Sequence, residues 1–136
     1  MKVCGIELKG SDARLIVLDG CKDQFQLISS RVNKITCADD ESQSEIRAFR
    51  EAIFAFLREN ACEKVAIKKR GKKGQYSGGP ISFKLEGIIQ LYEACPVELI
   101  SPNRIASVIK KKTVAIPTEI NNYQHDAFKT SFTALP

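Results

Sequence analysis

Apolar residues gather in three short runs at the start of the chain, and each run ends in residues that favour turns. Lys2–Leu8 is mostly apolar and leads into Lys9-Gly10-Ser11-Asp12, a turn composition. Ala13–Leu18 reads ARLIVL and stops at Asp19-Gly20, a strong hairpin signal. Gln24–Ser29, QFQLIS, is the third run, and its pattern extends through Val32 and Ile35. Connections this short predict an antiparallel meander. The period then lengthens. Ser42 and Glu45 have capping-box spacing, and Ile46, Phe49, Ile53, Phe56 and Leu57 recur on one helix face up to about Asn60. Lys64–Lys68 predicts a fourth strand. Pro80 suits the first position of a helix whose stripe is Ile81, Leu85, Ile88, Ile89 and Tyr92. Pro96–Ile100 predicts a fifth strand, and Ser101-Pro102 opens a short helix to about Ile109. Residues 113–120 read as a loop, and Asn122 caps a final helix through YQHDAFKTSFTAL. The order β-β-β-α-β-α-β-α, with a closing helix, predicts an α/β protein. Its expected architecture is one five-stranded mixed sheet with helices on both faces.

Composition narrows the class more than the chemistry. A chain of 136 residues, 43% hydrophobic and 27% charged, is expected to form one globular domain over residues 1–136. Its longest apolar stretches fall well short of a membrane span, and Met1 leads straight into a strand-like run without room for a signal peptide. Five cysteines are scattered with no C-x-x-C pair, so neither a zinc knuckle nor a disulfide framework is signalled. Buried thiols in a reducing, cytoplasmic setting are the expectation. The formal charge of +5 leans toward polyanionic partners.

Much of that charge sits in one place. After the fourth strand, Lys68, Lys69, Arg70, Lys72 and Lys73 are interleaved with Gly71 and Gly74, and Gly78, Gly79 and Pro80 follow. Glycines let a backbone approach a partner closely, and the helix that follows offers partial positive charge at its start. Pro80 removes one N–H donor there, and the spacing is not G-x-x-x-x-G-K-[ST], so no nucleotide P-loop is indicated. Tyr76 and Tyr92 offer stacking faces, but without tryptophan a single-strand stacking platform is poorly supported. Two readings stand side by side: a cationic arm for phosphate backbones, or a solvated turn. Lys110–Lys112 either extend that surface or complement the C-terminal dipole of their helix.

The opening VCGIELKGSDARLIVLDG resembles the first hairpin of Holliday-junction resolvases of the RuvC type, in which a short strand delivers a catalytic carboxylate after Gly-Ile. The closing HDAFKTSF is similar to the helix that returns a late metal-binding carboxylate to that strand. The element order likewise resembles the ribonuclease H-like fold. The chain also looks like a small family of uncharacterised bacterial proteins. The resemblance implies Glu7 and Asp126 as catalytic and metal-binding carboxylates, with Mg²⁺ or Mn²⁺ as cofactor. It also implies DNA or RNA as partner, with Lys68, Lys69, Arg70, Lys72 and Lys73 as the nucleic-acid contacts. Resolvases of this fold work as dimers, so a homodimer is compatible with it.

Such chemistry sets a requirement that the sequence meets only in part. Phosphodiester hydrolysis places charge on the attacking and leaving oxygens, which two divalent cations about 3.5–4 Å apart can clamp. Magnesium prefers hard oxygen ligands in octahedral geometry, so several carboxylates must converge. Glu7 and Asp126 also read as a strand-end acid and a solvated helix residue. The family's remaining acid would stand at the end of the fourth strand, where this chain has Ile67, Lys68 and Lys69. Glu45 is a substitute on the first helix, but the capping box already claims it. His125, the one histidine, adjoins Asp126. With the fourth strand beside the first, Lys68 is expected near Glu7, where a metal would otherwise stand. The expectation is a nucleic-acid-binding protein of ribonuclease H-like fold, a divergent or degenerate metal-dependent nuclease for structured DNA or RNA. The alternative is a non-catalytic scaffold that uses the basic loop to bind a partner. An ATPase of the actin and sugar-kinase superfamily needs two such domains around its nucleotide, which one short chain does not supply.

Overall fold

The computed structural model describes residues 1–74 and 79–136. Tyr76 and Gly78, assigned above to the basic loop, lie outside the described residues. β1 (Lys2–Lys9) and β2 (Asp12–Gly20) form a long antiparallel hairpin from Lys2↔Asp19 to Lys9↔Asp12. Its turn is Gly10-Ser11, and Gly10 has φ +58°, a left-handed value that glycine adopts without strain. β5 (Lys64–Lys68) runs parallel to β1, and β6 (Val97–Ile100) runs parallel to β5. The mixed sheet has the order β3-β2-β1-β5-β6.

The third run differs from expectation. It forms two strands, β3 (Phe25–Ile28) and β4 (Lys34–Thr36), which share one edge of β2. Among the described residues the sheet therefore has six strands rather than five. The polar stretch Ser29-Ser30-Arg31 breaks the run, and the Ser30 hydroxyl accepts from the Val32 amide to hold the bend.

Alternation along the central strands divides the core in two. Cys4, Ile6, Leu8, Leu15, Val17, Val65 and Ile67 point to one face. There they meet α1 (Gln43–Glu59) through Phe49, Ile53, Phe56 and Leu57, and α2 (Pro80–Ile89) through Leu85 and Ile89. Val3, Ile16, Leu18 and Ala66 point the other way. They meet α3 (Pro102–Lys112) through Ile105 and α4 (His125–Ala134) through Ala127, Phe128 and Phe132. Each fully buried large side chain contributes about 1.5–3 kcal/mol, which fixes which strand residues face which helices.

Helix ends follow the sequence with three adjustments. Ser42 caps α1 by accepting from the Glu45 amide, but its own N–H goes to Asp39 O rather than to the Glu45 side chain, so half of the capping box forms. At the far end Asn121, not Asn122, is the cap. It opens a 3-10 turn, Asn122–Gln124, that runs into α4. α3 reaches Lys112, so the three lysines lie in its last turn, where the dipole favours them. Cys4, Cys37 and Cys62 are buried, Cys21 and Cys95 half-buried, and all five thiols are free. No helix among the described residues is long and apolar enough to cross a membrane.

One close approach positions everything that follows. A Cβ on Gly5 would stand 2.2 Å from Ala127 O and 2.5 Å from Ser131 N, so α4 lies directly on the β1 backbone. The buried Ser131 hydroxyl donates to Val3 O at 2.9 Å and pins the helix there.

Candidate functional site

The sheet face under α4 gathers a group of charged side chains at the C-terminal ends of β1 and β5. Strand alternation puts Glu7 on that face with Val3 and Gly5. Register puts Arg14 opposite Glu7 on β2, and Lys68 follows the Ile6↔Ile67 pair on β5. Arg14, Glu7 and Lys68 thus stand in one row across three neighbouring strands. Because α4 rests on Gly5, its first turn brings Asp126 down onto this row.

The four side chains form an ion-paired cluster. Arg14 donates to Glu7 Oε1 at 3.2 Å, and Lys68 Nζ donates to Asp126 Oδ2 at 3.2 Å. The Glu7 and Asp126 carboxyls are close enough for a hydrogen bond to join them when one is protonated. Burial, then that hydrogen bond and the negative charge of Asp126, raise the Glu7 pKa against the opposing pull of Arg14. Burial also works against ionising Asp126, but the Glu7 hydrogen bond, Lys68 and Lys129 outweigh it and hold its pKa low. Of the two acids, Glu7 is therefore the one that holds a proton more readily and Asp126 the one that ionises first. Asp126 gains further from its place in the first turn of α4, where the helix dipole favours an anion.

Lys68 is beside the acid pair, as the fourth strand's position implied, but its partner is Asp126 rather than Glu7. The partner of Glu7 is Arg14, which the sequence reading missed. A tight turn at Gly10-Ser11 fixes the register of the hairpin, and counting outward from it pairs position 7 with position 14. The Arg14 guanidinium is also held against the Tyr123 ring, 5.8 Å from its centroid. His125 is half-buried at the start of α4.

The cations of the basic loop part company. Lys69, Lys72 and Lys73 are exposed. Arg70 turns inward: its NH2 lies 2.6 Å from Glu86 Oε1 and its guanidinium 4.4 Å from the Phe83 centroid. With 10% of its side chain exposed, Arg70 ties the loop to α2. Nothing in a local charge run signals that one member is buried.

The donor set does not fit a two-cation centre. Among the described residues no group of three or more histidine, cysteine, aspartate or glutamate side chains is arranged to hold a metal. The two carboxylates that do meet are each in contact with a cationic side chain, and Lys68 stands where the resemblance calls for a third acid. What the cluster does chemically is pair each acid with a cation, beside the exposed Lys69, Lys72 and Lys73.

Residues 1–134 match the family described as "Protein of unknown function (DUF3010)", and the chain belongs to it. No curated protein matches the chain. Among solved structures, the chain is similar to the RuvC of Thermus thermophilus, with a TM-score of 0.74 at 15% identity over 98% of this chain and 92% of that one. The same protein in complex with a Holliday junction substrate gives a TM-score of 0.68 at 15% identity, covering 98% and 91% of the two chains. A Fowlpox virus resolvase bound to Holliday junction DNA gives 0.53 at 11% identity, covering 98% and 97%. At such identities the likeness establishes the fold, which is ribonuclease H-like with an open mixed sheet.

Proposed function

We propose that this protein binds structured nucleic acid through the cationic rim at the ends of β1 and β5, without a resident two-metal centre. The observation that carries the reading is the Lys68 ammonium, 3.2 Å from Asp126 Oδ2, at the place where a cation-binding carboxylate would be needed. An ammonium there supplies the positive charge that a metal would supply, but it offers no open position for water or substrate. Exposed Lys69, Lys72 and Lys73 continue the positive surface outward from Lys68. Contacts of this kind bind phosphates with little choice of sequence and strong dependence on salt. Three or four such contacts give a log–log salt slope of about −3 to −4. Two of the similar structures hold Holliday junctions, which makes a branched duplex the first substrate to try. The setting proposed is the cytoplasm.

The test is binding and cleavage of four-way junction, duplex, RNA–DNA hybrid and single-stranded substrates, with EDTA and with Mg²⁺ or Mn²⁺. The reading expects binding in EDTA, no cleavage, and loss of binding when Lys69, Lys72 and Lys73 are changed to Glu. Cleavage that requires metal and disappears in Glu7→Gln would instead establish a nuclease in which Glu7 and Asp126 are metal ligands. The contact between those two carboxyls is the one observation that favours that second reading.

A further inference from the structure

Beside the cluster, α3, α4 and the end of β5 line a groove of about 370 Å³. One wall is a stripe on α3: Pro102, Ile105, Ala106 and Ile109 at spacings of three, one and three residues, the repeat of a single helix face. A helix face of this kind normally packs against a neighbour, yet Ala106 is exposed and Ile109 only half-buried. The opposite wall and the rim are charged. Lys68, Lys110 and Lys129 face one carboxylate, Asp126, which Lys68 already engages. The groove therefore joins an apolar strip to a surplus of ammonium groups.

A ligand complementary to it needs a flat apolar body with a compact anion attached. Its volume falls within the range of pockets that take one small molecule and is far too small for a duplex. We propose that the groove takes a single unpaired nucleotide. The base would lie on the Ile105, Ala106 and Ile109 strip and its phosphate among Lys68, Lys110 and Lys129. The inference rests on the nucleic-acid reading above and sharpens it. A protein with this groove prefers branched or flapped substrates that expose an unpaired base, whereas the rim of Lys69, Lys72 and Lys73 contacts any phosphate backbone. Inorganic phosphate alone would leave the apolar strip uncovered, and an uncharged nucleoside would leave the lysines unmatched.

The experiment is an amide NMR titration of the full chain with thymidine 5′-monophosphate, with thymidine and inorganic phosphate as parallel probes. Saturable shifts at Ala106, Ile109, Lys110 and Lys129 are expected, with a midpoint of about 1 mM for one isolated nucleotide. Changing Lys110 and Lys129 together to Gln should weaken binding about tenfold, the loss of two charge-assisted contacts. Ala106→Glu, at an exposed position, should abolish it while the rest of the spectrum is retained. Absence of shifts at these amides overturns the proposal. So does equal binding of thymidine and its monophosphate, or phosphate binding as tightly as the nucleotide, which would reveal an adventitious ion only. Junction and duplex binding is measured on the same samples. If polymers bind but the nucleotide does not, the groove proposal fails alone. If the nucleotide binds as described and no polymer does, the groove stands and the nucleic-acid reading fails.

Discussion

Replacing Gly5 with alanine places a methyl group where α4 has its backbone. The added Cβ would lie 2.2 Å from Ala127 O, 2.5 Å from Ser131 N and 2.6 Å from Ser131 Cβ. Two of these atoms belong to the backbone, so no side-chain rotation relieves the clash. Comfortable carbon contacts begin near 3.5 Å, so the helix must retreat by roughly 1 Å. Overpacking of that kind costs about 1–3 kcal/mol. Retreat also stretches the bond from the buried Ser131 hydroxyl to Val3 O, and leaving such a group unpaired costs about 1–3 kcal/mol more. The expected loss is therefore about 2–6 kcal/mol, a large part of the roughly 5–15 kcal/mol that holds a domain together. Urea denaturation followed by circular dichroism measures it. Gly10→Ala is the control, since its Cβ meets nothing within 4 Å and only the left-handed φ of +58° is penalised, by about 1–2 kcal/mol. The same retreat lifts Asp126 from Glu7, so in Gly5→Ala the Glu7 carboxyl should titrate closer to its ordinary value. A Gly5→Ala protein within about 0.5 kcal/mol of the parent would refute the close approach and the account of how Asp126 reaches the sheet.

Substitutions at two other places probe the charged groups. Burial and Asp126 raise the Glu7 pKa above the ordinary 4.5, so the stability contributed by its proton is complete below that pH and is lost as the pH rises through the raised value. Glu7→Gln keeps a donor toward Asp126 and cannot ionise. It should remove the fall in stability as the pH rises above 4.5 through the raised value, and an unchanged slope would show that the Glu7 pKa is not raised. Glu86→Ala strands the Arg70 guanidinium, whose side chain is 10% exposed, and should cost about 3–5 kcal/mol by urea denaturation. Adding Arg70→Met should recover much of that loss; equal losses in the single and double variants would contradict a buried pair.

How much of this was legible depends on how local each feature is. The β1–β2 hairpin was readable because apolar runs meet at a glycine turn, and the same turn encoded the Glu7–Arg14 pairing, although only its register reveals it. β5, α2 and α3 began where their sequence signals lay. β4 did not announce itself: Lys34-Ile35-Thr36 is three residues long and takes its strand form from the edge of β2. The meeting of Glu7 with Asp126, far apart along the chain, came from a resemblance and not from periodicity. The choice of Asp126 by Lys68 is set by where α4 comes to rest, which no local pattern contains. Arg70 misled for the converse reason, since its burial depends on Glu86 and Phe83 across a turn of chain. The groove forms only where α3, α4 and the end of β5 come together, so no local pattern contains it.

The central claim is that ammonium and guanidinium groups, rather than divalent cations, neutralise the two acids under α4. Carboxyl ¹³C NMR during Mg²⁺ titration tests it most directly, with the exposed Glu51 as the reference for weak, nonspecific association. The account predicts that Glu7 and Asp126 shift no more than Glu51 does. Saturable, stoichiometric shifts confined to Glu7 and Asp126 would contradict it.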